Sequence, residues 1–143
     1  MTAALIFSIF NTLVLIVWIL YIFLPQITIV KWHLKYPIVL WLLALAYTLI
    51  IIPNLGAIGS TDFSSLEGIK KLFGSIQNDW FVMAAWFHYL CFDLWIGGWI
   101  VTDSQKYHIK KIWIAPCLLF AFMLGPVGFL MYWIVKMTKG LKE

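Results

Sequence analysis

Trp86-Phe87-His88-Tyr89-Leu90-Cys91-Phe92-Asp93-Leu94-Trp95-Ile96-Gly97-Gly98-Trp99-Ile100-Val101-Thr102-Asp103 sets a histidine and an aspartate inside a run that otherwise reads as a membrane-spanning helix. An aspartate at the centre of such a helix costs roughly 2.5–3.5 kcal/mol on insertion scales. Ionisable residues at that depth face a protein interior or a water-filled pocket, and they are functional candidates by default.

The composition around this stretch agrees. Of 143 residues, 64% are hydrophobic and 11% charged, against about 25% charged in ordinary soluble domains. The length suits one domain, residues 1–143. Every basic residue is lysine, and the net charge of +4 sits in loops and the tail. That is charge flanking a membrane, not a stripe for DNA or RNA, so lipid and not nucleic acid is the expected surrounding partner. Cys91 and Cys117 fall in separate apolar segments and read as reduced packing residues.

Four apolar segments predict an all-α, multi-pass integral membrane bundle of four transmembrane helices: residues 3–24, 37–52, 80–101 and 113–135. The first spans about 33 Å as a helix, enough for a hydrocarbon core of about 30 Å. Pro53-Asn54-Leu55-Gly56 reads as the turn that ends the second. Asn78 or Asp79 is a candidate N-cap for the third. Pro126 donates no backbone hydrogen bond, so a kink is expected inside the fourth. Between the second and third segments, Ser64-Ser65-Leu66-Glu67 reads as a capping box. Leu66, Ile69, Phe73 and Ile76 then recur at helical spacing, predicting a short amphipathic helix on the membrane surface or a lid over a site between the spans. With four spans the lysines divide five against five, and charge leaves the orientation open.

Within the membrane, His88 and Asp93 lie about 140° apart around the helix axis and about 7.5 Å apart along it. They cannot readily bond each other, so each needs partners on other helices. Counting from span ends puts Asn11 at the depth of His88, and Tyr47 and Thr48 within about a turn of both residues. The same count brings Phe122 and Pro126 close. Pro126 frees the Phe122 carbonyl, to which a protonated Asp93 could donate. Burial in an apolar setting favours a neutral acid and a neutral imidazole facing one cavity, a pair suited to acid–base chemistry on an apolar substrate. The alternative is polar glue between helices. Asp103, further along the same helix, reads as an interfacial residue paired with nearby lysines or water. His33 and His108 read as solvated loop residues. Trp18, Trp86 and Trp95 lie deep enough to line a pocket, and Gly97, Gly98, Gly125 and Gly128 permit close approach of a helix or ligand. No spacing supports a metal site, and no cofactor is expected.

Trp86-x-His88-Tyr89-Leu90-x-Phe92-Asp93-Leu94 resembles the signature of the neoxanthin synthase-like family, typified by the plant abscisic-acid-deficient-four protein. Gly97-x-Trp99-Ile100, Asp103, Gly125-Pro126-Val127-Gly128 and Phe63-Ser64-Ser65-Leu66-Glu67-Gly68-Ile69-x-x-Leu72-Phe73 are similar too. The resemblance covers roughly residues 55–135. One departure stands out: the family often has a basic residue where this chain has Gly98. The resemblance implies a four-span protein of carotenoid metabolism. In plants the family is required to convert violaxanthin to neoxanthin, an epoxide opening with proton loss and no net redox change.

Three functions compete. The first is an isomerase-type enzyme on a carotenoid or similar isoprenoid, with His88 and Asp93 catalytic. Asn11, Tyr47, Thr48, Trp86, Trp95, Gly97, Asp103, Gly125 and Pro126 would then hold the ligand. The second is a non-catalytic pigment- or lipid-binding subunit. The third is a structural or assembly protein. So small a bundle also makes a homodimer or a larger membrane complex a reasonable partner expectation.

Overall fold

The computed structural model describes residues 2–59, 61–74 and 78–140, and among them every regular element is helical. They run α1 (Ala3–Phe23), α2 (Thr28–Lys35), α3 (Ile38–Ile51), a 3-10 turn (Ile52–Asn54), α4 (Leu55–Gly59), α5 (Leu66–Gly74), α6 (Asp79–Lys106), α7 (Lys111–Val135) and a π-helical turn (Lys136–Gly140). By length and apolarity alone α1, α6 and the stretch Lys111–Lys139 qualify as candidate membrane spans, the last before its internal fold-back is considered; α2 and α3, bent by 41°, add a fourth only if counted as one broken span.

Local chemistry sets several boundaries. The Asn78 side chain accepts from the Trp80 amide at 2.9 Å, capping α6. The capping hydroxyl of α5 is Ser65, which accepts from the Gly68 amide at 3.1 Å; the expected Ser64 hydroxyl instead donates to Asp62. Ile76 lies outside the described residues. The expected turn at Pro53 is a 3-10 turn that carries the chain on into α4, since proline is tolerated at the start of a helical turn. The connection before α3 contains α2, a short helix that the lysine-rich sequence concealed.

Helix α6 is the centre of the bundle and packs against α1, α3 and α7. Helix α1 runs parallel to it: Asn11 meets Trp86, Trp18 meets Gly97, and Pro25 meets Gln105. Helix α3 runs the other way, with Tyr47 beside His88. These pairings agree with the depth count made from the span ends.

Helix α7 departs from expectation most. It is not one rod. Leu124 leaves helical geometry (φ −146°, ψ 52°) just before Pro126, and the chain folds back on itself. A Cβ on Gly128 would overlap the backbone of Ala121 and Cys117. Lys139 Nζ lies 4.6 Å from the Trp113 ring centroid; in a continuous helix these residues would stand about 39 Å apart. The expected fourth span is therefore a helical hairpin, its arms held close by Gly128 and Ala121, its tip level with Asp93. Both of its ends sit at the end of the bundle where α6 finishes. The five-to-five lysine division dissolves with it. Lys31, Lys35, Lys106, Lys110, Lys111, Lys136 and Lys139 gather at that end, and Lys70 and Lys71 remain in the segment joining the opposite ends of α3 and α6. Lys142 lies outside the described residues.

Candidate functional site

Asp93 points from α6 into the bundle and is 6% exposed. Its carboxyl lies against Gly125 at the hairpin tip, so closely that a Cβ there would overlap Oδ1. Only glycine lets the tip reach this depth. One turn back on α6, the Tyr89 hydroxyl donates to the Met123 carbonyl at 3.0 Å and also interacts with the Asp93 carboxyl. The break at Leu124 and the missing amide hydrogen of Pro126 leave carbonyls without helical donors, and Tyr89 takes up one of them. The sequence reading gave this task to Asp93 acting on Phe122; the structure gives it to Tyr89 acting on Met123.

Asp93 Oδ2 is left buried with no hydrogen-bond partner, and so is the indole nitrogen of Trp18. Trp18 packs over Gly97, one turn along α6 from Asp93, and against Phe122 with ring centroids 5.5 Å apart. A Cβ on Gly97 would come within 2.5 Å of that ring. An unpartnered carboxyl oxygen and an unpartnered N–H in one apolar interior are costly to leave unmatched. Such a site is equipped to move a proton or to hold a polar atom of an otherwise apolar molecule.

His88 does not share this centre. Five helical residues turn it to the outer surface, where its ring is exposed between Tyr47 (centroids 5.4 Å apart) and Phe92 (4.8 Å). The structure therefore does not bring His88 and Asp93 to one shared site. Asn11 accepts from Trp86 Nε1 at 2.9 Å, two residues from His88. The Thr48 hydroxyl donates to its own helix at Ala44. Trp86 and Trp95 lie on the outside of the bundle.

Asp103 anchors a second polar cluster. Lys136 Nζ approaches its Oδ2 at 2.7 Å, and the Tyr132 hydroxyl donates to the same oxygen at 2.7 Å. The lysine also sits over Tyr107 (4.2 Å to the centroid), Trp133 (5.1 Å) and Trp99 (5.8 Å). A lysine partner for Asp103 was expected, but not one from the far end of the last segment. Lys136 and Tyr132 were missed because only the fold-back brings them there.

His33 corrects the reading of a solvated loop residue. It is buried on α2, and its Nδ1 shares a 2.8 Å hydrogen bond with the Tyr21 hydroxyl. His108 is exposed, as expected, at a positive φ of 51°. Among the described residues no group of three or more His, Cys, Asp or Glu side chains is placed to hold a metal ion.

Comparison with known protein families gives a match over most of the chain. The family described as ABA DEFICIENT 4-like matches residues 5–132. No curated protein and no solved structure matches the chain.

Proposed function

The chain belongs to the ABA DEFICIENT 4-like family, and from that premise we propose that it is an isomerase-type membrane enzyme acting on a carotenoid or similar isoprenoid. Asp93 is the acid–base group. The observation that carries the reading is the buried, unpartnered Asp93 Oδ2 at the tip of the hairpin.

Asp93 works in its neutral form, the form a carboxyl takes in an apolar interior with no cation beside it; among the described residues the one ion pair is Lys136–Asp103. The acid delivers its proton to an oxygen of the substrate, an epoxide oxygen in the family's plant reaction. The carbon–oxygen bond opens, and a proton leaves a neighbouring carbon. The carboxylate just formed takes up that proton, so Asp93 is regenerated and nothing is oxidised or reduced. Tyr89 holds the hairpin tip and steadies the carboxyl. Trp18 closes the apolar side of the site. His88, on the outer face, takes no part in this step.

The test is extraction of pigment from the purified protein, with mass analysis of the carotenoids in a host that accumulates an epoxy carotenoid. An isomer of unchanged mass that appears only with the protein supports the enzyme. A bound but unaltered pigment moves the assignment to a binding subunit. No pigment and no new product argue for a structural role.

A further inference from the structure

Helix α6 is packed by α1, α3 and α7, and one side of it stays open between α3 and α7. Ala85, His88, Phe92 and Trp95 are all exposed there. They recur at steps of three, four and three, which sets them on one stripe about 80° wide. Tyr47 of α3 flanks the stripe at His88, and the bond from Tyr89 to Met123 marks its α7 side. Alternating steps of three and four are the spacing with which two helices pack side by side at a shallow angle.

Alanine, phenylalanine and tryptophan can face lipid at little cost; an imidazole cannot. Leu13 is the midpoint of α1, and Asn11 beside it bonds Trp86, so His88 lies near the middle of the span. Its ring touches Tyr47 and Phe92, and among the described residues neither of its nitrogens has a hydrogen-bond partner. Asn11 and Trp86, the polar pair two residues away, are already bonded to each other. A polar ring left unmatched in hydrocarbon costs free energy, and such residues at that depth face protein or water. On this side the chain itself supplies neither. A neutral imidazole carries one N–H donor and one nitrogen acceptor. A second imidazole is therefore a sufficient partner for it.

We propose that this stripe is the seam of a parallel homodimer, in which His88 shares a hydrogen bond with His88 of the partner subunit. Both copies enter the membrane in the same orientation, so a two-fold axis along the membrane normal brings each seam residue to its own counterpart. Ala85 lets the helices approach on one side of His88, and Phe92 and Trp95 fill the seam on the other. A hydrogen bond between membrane helices is of modest strength, so packing along the seam supplies the rest. Asp93 faces into its own bundle, away from the stripe. Each copy thus keeps a whole candidate site, and the dimer stands or falls apart from the chemistry proposed there.

The test is cross-linking of the full chain in membranes, with Cys91 and Cys117 replaced by serine. Ala85→Cys is oxidised and compared with Leu15→Cys, which lies on the exposed face of α1. Ala85→Cys is expected to give a disulfide-linked dimer and Leu15→Cys to stay monomeric. His88 is intact in both, so this arm holds even where a His88 variant fails to fold. In mild detergent the unmodified chain is expected to show twice its 16.6 kDa protein mass by light scattering. His88→Leu is expected to weaken association about tenfold, and His88→Asn, which keeps a donor and an acceptor, to restore most of it. Equal cross-linking at the two positions overturns the seam. So does a monomer at every protein-to-detergent ratio, or a dimer that His88→Leu leaves unchanged. A monomer carrying a metal tetrapyrrole whose absorbance vanishes in His88→Leu also overturns it, by giving the imidazole a different partner.

Discussion

Lys136 and Asp103 close the protein at one end: Nζ and Oδ2 are 2.7 Å apart, with side chains 11% and 14% exposed. They belong to the C-terminal ends of two sequential helices, which would stand on opposite faces of a membrane if α7 were straight. The pair is thus a lock on the hairpin. Removing one partner of a buried ion pair leaves an uncompensated charge and costs about 3–5 kcal/mol. Lys136→Met or Asp103→Asn is expected to destabilise by about that much, measured by unfolding in detergent. The double variant should be less destabilised than the sum of the two. Tyr132→Phe removes one hydrogen bond to the charged group and should cost less, about 1.5–3 kcal/mol.

Gly125 supports the hairpin at its other end. Gly125→Ala puts a methyl where Asp93 Oδ1 lies, an overpacking that typically costs about 1–3 kcal/mol. Shortening the acid should relieve it. Asp93→Ala in the same chain is expected to restore part of the lost stability, although not activity.

The fold-back also gives a testable orientation. With seven described lysines at one end against two at the other, the positive-inside rule predicts that α2, the 107–110 connection and the end of α7 face the cytoplasm. With Cys91 and Cys117 replaced by serine, Lys70→Cys should react with an impermeant maleimide in intact cells. Lys110→Cys and Lys139→Cys should both react only after permeabilisation. Labelling of these two from opposite sides would mean that α7 crosses the membrane.

The segment before α5 carries a pH-sensitive clasp. Hydrogen bonds from the Ser64 hydroxyl, the Ser65 hydroxyl and the Ser64 amide hold the exposed Asp62 carboxyl down at about 2. A lowered value means that the clasp is complete above the ordinary aspartate range, near pH 4, and is lost as the pH falls toward 2. Amide exchange at Gly68 and Ile69 should quicken over that window, and Asp62→Ala should abolish the transition.

Much of this arrangement was legible in the sequence. Apolar runs located α1, α3 and α6, and helical rise placed Asn11 and Tyr47 at the right depths beside Trp86 and His88. Asp93 was marked because a lone carboxylate at bilayer depth needs a reason to be there. The fold-back was hidden, because hydropathy does not distinguish a straight helix of 25 residues from a hairpin of the same composition. Its signals were Gly125-Pro126 at the midpoint and small residues at Ala121 and Gly128. These gave a kink but no angle. With the angle unknown, Lys136 could not be brought to Asp103. His33 was misjudged for a related reason: its lysine neighbours suggested solvent, and Tyr21, twelve residues earlier, reaches it only because α2 turns back onto α1.

The most direct measurement compares product formation by Asp93→Asn and Asp93→Glu with that of the unmodified chain, in cells that accumulate an epoxy carotenoid. Folding is checked by elution and thermal stability. Asparagine keeps the shape and loses the exchangeable acid, and loss of general acid–base catalysis typically costs about 10²–10⁴-fold in rate. That loss is expected for Asp93→Asn with pigment still bound, and measurable activity for Asp93→Glu. A folded Asp93→Asn protein that forms product at the unmodified rate would contradict the acid–base role of Asp93.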